Sequence, residues 1–313
     1  MSKSVFVIGE ALVDRIVDHH GQSTDVLGGG PFNAARVLGR LDIETWFLSG
    51  ISQDYFGARV CAALEDCGVR RAVPECSPRP TGVALARVDR DGTAAYEFEL
   101  EESSCTDVTV EQALSGLRAA DEVAVVHLGT LALVLTPLRA AALAVVDELA
   151  PTVLCFIDPN CRPALVPDTT EYRRTLEQVF ARADVIKIST EDAEFLWPDQ
   201  TPLAAARVLQ RERGCVVLLT EGERGVTALG RDFERHVAAP RVAVADTVGA
   251  GDAFGAGFIA WWLRRGYCRT DLIDEQAVVE AMRAGVAVAA WTVQQRGAAA
   301  PTWGDIPEQW LID

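Results

Sequence analysis

Short apolar, β-branched runs recur along the chain: VFVIG from Val5, TWFLSG from Thr45, VAVVHLG from Val123, TVLCFIDPN from Thr152, DVIKIS from Asp184, CVVLLTEG from Cys215 and RVAVAD from Arg241. Helical patterns separate them, among them PFNAARVLGRL from Pro31, with Ala34, Val37, Leu38 and Leu41 on one face, and TPLRAAALAVVDELA from Thr136. Near-continuous apolar strands alternating with helices describe a parallel sheet covered on both faces, so the predicted fold class is α/β. One segment departs from this rule. TGVALARVDRDGTAAYEFEL, Thr81 to Leu100, alternates apolar and polar residues about an Asp91-Gly92 pair, which predicts an antiparallel β-hairpin inserted as a flap. With no internal repeat, low-complexity tract or long linker, the 313 residues read as one domain.

A formal net charge of −16 repels polyanions and argues against nucleic acid or an anionic membrane surface as partner. No apolar run approaches the roughly 18 residues of a membrane span, and the N-terminus lacks a secretory pattern, so the expected location is the cytoplasm. Eight cysteines are scattered without a C-x-x-C pair, and four histidines lack a helical i, i+4 pair; neither set predicts a metal or nucleophilic centre.

The most informative stretch is DTVGAGDAFGAGF, Asp246 to Phe258. A dinucleotide fingerprint fails here, because the sixth position counted from Gly249 is Phe254, and GAGFIA from Gly255 begins inside the following helix instead of at its start. A P-loop fails because no Lys and Ser/Thr follow the glycines. A third reading fits: Gly249, Ala250 and Gly251 turn the chain so that their N–H groups face an anion, and Asp252, in the first helical turn, takes a proton from an attacking hydroxyl. On local residues alone, Asp252 as a simple helix cap stands beside that reading.

D-T-x-G-A-G-D-x-F, Asp246 to Phe254, resembles the C-terminal signature of the ribokinase-like carbohydrate kinases, and the resemblance extends along nearly the whole chain. GEALVD, with Glu10 and Asp14, and GGGPFNAARVLGRLD, Gly28 to Asp42, are similar to the family's N-terminal motifs. The resemblance implies a three-layer ribokinase-like domain over residues 1–313, with lid strands inserted at about 10–28 and 80–102. It implies that Asp14 and Asn33 bind sugar hydroxyls and that Gly29 and Gly30 allow the chain to approach the sugar. DPNCRPAL, from Asp158, is similar to a run in the fructokinase and ketodeoxygluconate kinase branches and adds Asn160 and Arg162 to the substrate set.

The same resemblance implies nucleotide contacts at Thr220, Gly222, Gly225, Gly249, Gly251 and Val286. Ser189 and Asp192 stand where the family has N-x-x-E, which places a water-mediated magnesium contact at Asp192. Backbone carbonyls at Asp246, Val248 and Gly297 are the implied seat of a monovalent cation, potassium. The implied activity is transfer of the γ-phosphoryl group of ATP to a hydroxymethyl group of a small sugar, fructose first, then ketodeoxygluconate, ribose or a nucleoside, with Asp252 as base and the Gly249–Gly251 loop as anion hole. A homodimer through the lid is also implied. A non-catalytic sugar- or nucleotide-binding regulator is the alternative of a different class.

Overall fold

The computed structural model describes residues 3–88, 94–166 and 168–311. Strands β1 (Ser4–Ile8), β2 (Leu12–Val17) and β3 (Ser23–Gly28) are followed by α1 (Gly30–Arg40), β4 (Glu44–Leu48), α2 (Tyr55–Glu65), β5 (Val69–Arg71), β6 (Val83–Val88) and β7 (Ala94–Glu99). Next come α3 (Val110–Ala119), β8 (Val123–Gly129), α4 (Leu138–Asp147), β9 (Leu154–Asp158), α5 (Thr169–Arg182), β10 (Val185–Ser189), α6 (Thr190–Leu196) and α7 (Pro202–Arg213). The chain closes with β11 (Val216–Thr220), β12 (Val226–Leu229), β13 (Glu234–Val237), α8 (Ala250–Arg264) and α9 (Glu275–Thr292).

Among the described residues the main sheet has nine strands in the order β13-β12-β11-β10-β9-β8-β1-β4-β5. Pairing is parallel from β11 through to β5; only the β11–β12 and β12–β13 pairs at one edge are antiparallel. The strand period of two splits β1 cleanly: Val5 and Val7 enter one apolar layer with α1, α2, α8 and α9, whereas Phe6 and Ile8 enter the other with α3 to α7. Both faces are therefore buried, which is why these strands read as unbroken apolar runs.

RVAVAD is a correction. Residues 241–246 form no strand: the Ala245 and Asp246 N–H groups both donate to the Val293 carbonyl, and Val244 is exposed. The edge of the main sheet on that side is β13, whose polar ERHV carries no apolar signature. An alternating pattern without a ladder partner becomes an irregular approach to α8.

The glycines inside α8 serve packing. A Cβ on Gly257 would lie 2.9 Å from the Gly285 Cα of α9, and one on Gly285 would lie 2.6 Å from the Phe254 carbonyl oxygen. That near contact brings α8 and α9 together along much of their length and explains GAGF without any ligand.

A second sheet, in the order β3-β2-β6-β7, stands over the C-terminal ends of the main strands. Two antiparallel hairpins, β2–β3 and β6–β7, are joined through the parallel pair β2–β6. The Asp91-Gly92 turn lies outside the described residues. One face of this small sheet, with Asp14, Ile16, Val26, Ala84, Ala86 and Phe98, looks into the cavity described below.

Glu10 fastens the two sheets' junction. Its Oε1 accepts from the Gly30 N–H at 3.1 Å and its Oε2 from the Leu131 N–H at 3.0 Å, tying the start of α1 to the turn after β8. Burial outweighs these bonds and pushes the carboxyl up to about 8 from 4.5. Because the folded value is the higher one, this contribution is whole below about 4.5 and is lost as pH rises through about 8. Thermal denaturation from pH 5 to 9 should therefore show the melting temperature falling up to about pH 8 and levelling above it, and Glu10→Gln, lower in stability for want of one acceptor, should remove that fall.

Candidate active site

The loop before α8 is shaped by one residue in the left-handed region. Gly249 caps the helix with φ 78°, and a Cβ there would lie 2.5 Å from the Ala298 Cβ, so glycine is required on two counts. Asp246 braces the loop from below: its Oδ1 accepts from the Val248 N–H at 3.0 Å and its Oδ2 from the Gly297 N–H at 2.9 Å. The Ala250 N–H donates to the Thr247 carbonyl at 3.2 Å and is thus engaged within the turn, which narrows the expected anion-binding donors to the flanking glycines.

Asp252 is the third residue of α8 and accepts at Oδ2 from Asn33 Nδ2 at 3.0 Å. Asn33 is carried on α1, whose first turn holds Pro31, a residue suited to that place by its fixed φ. The amide oxygen of Asn33 is buried and has no partner among the described residues.

The ends of β8, β9 and β10 complete the site. Thr130 (φ 51°) and Asn160 (φ 40°) both sit in the left-handed region although neither is glycine, strain of order 1–3 kcal/mol each. The strain positions their side chains: Asn160 Nδ2 donates to Thr130 Oγ1 at 3.3 Å, and Arg162 Nη1 donates to Asn160 Oδ1 at 2.7 Å. Gly30 faces the group they form. A Cβ on it would lie 3.0 Å from each of Asp252 Oδ1, Asn160 Nδ2 and Thr130 Oγ1, so the space beside its α-carbon is ringed by three polar atoms. Lys187, in the middle of β10, donates to Asp158 Oδ2 at 2.7 Å, both side chains being buried.

Apart from Asp158, which lies behind Lys187, these side chains line one cavity of about 1120 Å³, at the carboxyl ends of the parallel strands and under the small sheet. Burial raises Asp252 above the usual aspartate value, while the Asn33 bond, Lys187 and Arg162 pull it back. Asp14 is raised to about 6, first by burial, with Arg162 opposing and Asp252 adding to the shift. Two carboxyls in one cavity are thus both raised by burial, a perturbation that marks a candidate functional site.

The structure brings together Asp14, Gly29, Gly30, Asn33, Asn160, Arg162, Asp246, Val248, Gly249, Ala250, Gly251, Asp252 and Gly297 as lining of this cavity. Other expected residues stand elsewhere. Asp192 is turned inward: Oδ1 accepts from the Cys161 N–H and Oδ2 from the Ser189 N–H and hydroxyl in a capping box, and the residue is buried. Val286 is buried within α9 and does not line the cavity. Thr220 ends β11 and donates to the Ile188 carbonyl at 3.4 Å, and Gly222 (φ 59°) and Gly225 (φ 106°) shape the turn into β12; all three lie apart from the lining. Three groups went unread in the sequence: Thr130, Lys187 and Asp158. For Lys187 a signal was present, since a lysine inside an otherwise apolar strand has to be paired.

Comparison with known proteins agrees with this geometry. The sequence profile described as pfkB family carbohydrate kinase matches residues 2–304. A fructokinase of Rhizobium leguminosarum bv. trifolii is 31% identical over 263 residues, covering 82% of this chain and 78% of that protein. A fructokinase of Klebsiella pneumoniae is 31% identical over 83% of this chain and 84% of its own length. In fold, the chain is similar to the fructokinase of Xylella fastidiosa with bound ATP (TM-score 0.86, 23% identity, 97% of both chains) and to the aminoimidazole riboside kinase of Salmonella enterica (TM-score 0.82, 24% identity, 98% of both chains). A glycine turn opening α8, an aspartate in its first helical turn and a profile match along almost the entire length place the chain in the pfkB family of carbohydrate kinases.

Proposed function

We propose that this kinase is an ATP-dependent fructokinase whose general base is Asp252. The observation that carries the mechanism is the fixed carboxylate: Oδ2 is held by Asn33 while Oδ1 borders the polar ring beside Gly30. A hydroxymethyl group of the sugar enters that ring. Its O–H proton passes to Asp252 Oδ1 as its oxygen forms a bond to the γ-phosphorus, the bond from that phosphorus to the bridging oxygen breaks, and ADP leaves with the electron pair. Asp14 accepts from sugar hydroxyls, with Asn33 lining the same cavity beside it. Gly249 and Gly251 present N–H groups to the transferred phosphoryl at the positive end of α8. The assignment of fructose rests on the relatives at 31% identity, both fructokinases.

Among the described residues no cluster of three or more His, Cys, Asp or Glu side chains could hold a metal, so the magnesium ion is assigned to the nucleotide's phosphates and arrives with it as substrate. The carbonyls of Asp246, Val248 and Gly297 suit a monovalent cation such as potassium: the one carboxylate beside them already accepts from two N–H groups, and neutral oxygens remain. A homodimer through the lid would use the face of the small sheet turned away from the cavity, where Arg15, Asp25, Leu85 and Glu97 stand in register.

ADP release measured over fructose, ketodeoxygluconate, ribose and nucleosides should be fastest with fructose; release with none of them would overturn the reading in favour of a binding protein. Asp252→Asn should fold, bind nucleotide and lose about 10²- to 10⁴-fold in kcat. Because a raised carboxyl ionises only above its own pKa, the acid limb of kcat should lie above the ordinary aspartate range near 4. Asn33→Ala removes the bond that favours the ionised form, so the limb should move to still higher pH, read from rate profiles of the two proteins.

A further inference from the structure

We infer that Lys187 is a further catalytic residue, its ammonium lying beneath the glycine turn and contacting the phosphoryl group in transfer, with Asp158 as the residue that positions it. This rests on the kinase reading above. The ammonium is placed by two observations. It donates to Asp158 Oδ2 at 2.7 Å, and it lies 3.0 Å from where a Cβ on Gly251 would be, one residue before Asp252. Lys187 lines the cavity although only 3% of the residue is exposed, so whatever meets its charge must come through that cavity.

An ammonium has three donors, and Asp158 uses one of them. The other two lie beside the N-terminal turn of α8, where the anion-binding N–H groups are. Burying a lysine is costly, and a site that only needed packing would carry an apolar residue in β10, as every other position from Val185 to Ile188 does. Gly251 gains a second purpose as well. Any side chain there would press on the ammonium, so this glycine keeps the approach between lysine and turn open.

The neighbours keep this charge in place. Asp158 leaves its Oδ1 buried and without a partner among the described residues, so its hold on Lys187 is through Oδ2 alone. His127 on β8 packs edge-on against Phe156, and burial and Lys187 lower it to about 4, so it stays neutral and does not compete for Asp158. As the γ-phosphoryl leaves ADP, negative charge spreads over its peripheral oxygens; a fixed ammonium below the turn stabilises that charge more than it stabilises bound ATP, and so acts on kcat. No bond to the lysine forms or breaks.

The test compares Lys187→Met with the double variant Lys187→Met/Asp158→Asn, using whichever sugar the wild type turns over. The single variant strands a buried carboxylate and should melt at a lower temperature; the double variant removes both charges and should recover most of that loss. If Lys187 is catalytic, kcat stays about 10²- to 10³-fold down in both variants with the KM for sugar within about 3-fold of wild type. ADP with aluminium fluoride, a mimic of the transferred phosphoryl, should bind both variants at least about 10-fold more weakly than wild type while ADP alone binds equally. Recovery of kcat together with stability in the double variant, or undiminished binding of ADP with aluminium fluoride, would overturn the inference. Absence of ADP release by the wild type would instead refute the kinase reading, so the two failures are distinguishable.

Discussion

The hydrogen bond from Asn33 to Asp252 joins side chains 219 residues apart, and the site depends on it. It fixes the rotation of a carboxylate that would otherwise turn freely at a helix end, and it does so from α1, a helix packed alongside α8 on the same face of the main sheet. The close α8–α9 crossing at Gly257 and Gly285 holds the other side of α8. Between them, the two contacts leave Asp252 one free oxygen and one direction in which to use it. On the proposed mechanism a hydroxyl placed there would meet its base already oriented, and such pre-positioning is a large part of what an enzyme can contribute to phosphoryl transfer.

Burial plays two opposed parts around this centre. It raises Asp252, Asp14 and Asp158, which works against keeping a base ionised, and it also strengthens each of the contacts that pull those carboxyls back. Asp158 shows the balance: desolvation pushes it up to about 6 while Lys187 draws it down, and the same 2.7 Å contact holds the lysine under the glycine turn. An exposed site would have ordinary carboxylates and weak contacts. The small sheet over the cavity is what makes the difference, since its inner face of Ala84, Ala86 and Phe98 keeps the surroundings apolar.

Much of this was legible in the sequence wherever local pattern and chemistry coincide. The six apolar runs buried on both faces became parallel strands, and D-T-x-G-A-G-D-x-F, by its resemblance, pointed to the family that the profile match shows. RVAVAD misled because alternation reports which side chains share a face and says nothing about whether a neighbouring strand exists. ERHV, the real edge strand, is polar because its burial pattern is mostly exposed. Ser189 and Asp192 also form a capping box, a pairing that the S-x-x-D spacing itself announces beside their place in the family pattern. The positive φ of Thr130 and Asn160 left no trace in composition, because that strain is imposed by the surrounding fold and not by the residue type.

An anionic substrate and a chain of net charge −16 look ill-matched, but the two act over different distances. At physiological ionic strength charges on the surface are screened beyond about 8 Å, so most of the acidic residues are not felt inside the cavity. There the local set decides: Lys187, Arg162 and Arg296 stand among Glu10, Asp14, Asp246 and Asp252, and the positive end of α8 is added to the cations. A long polyanion would have to lie across the outer surface, where the acidic residues act together. A small anion has only to reach the cavity, where those cations and the helix end lie. The overall charge and the cavity charge thus select for the same thing, a small anion able to enter.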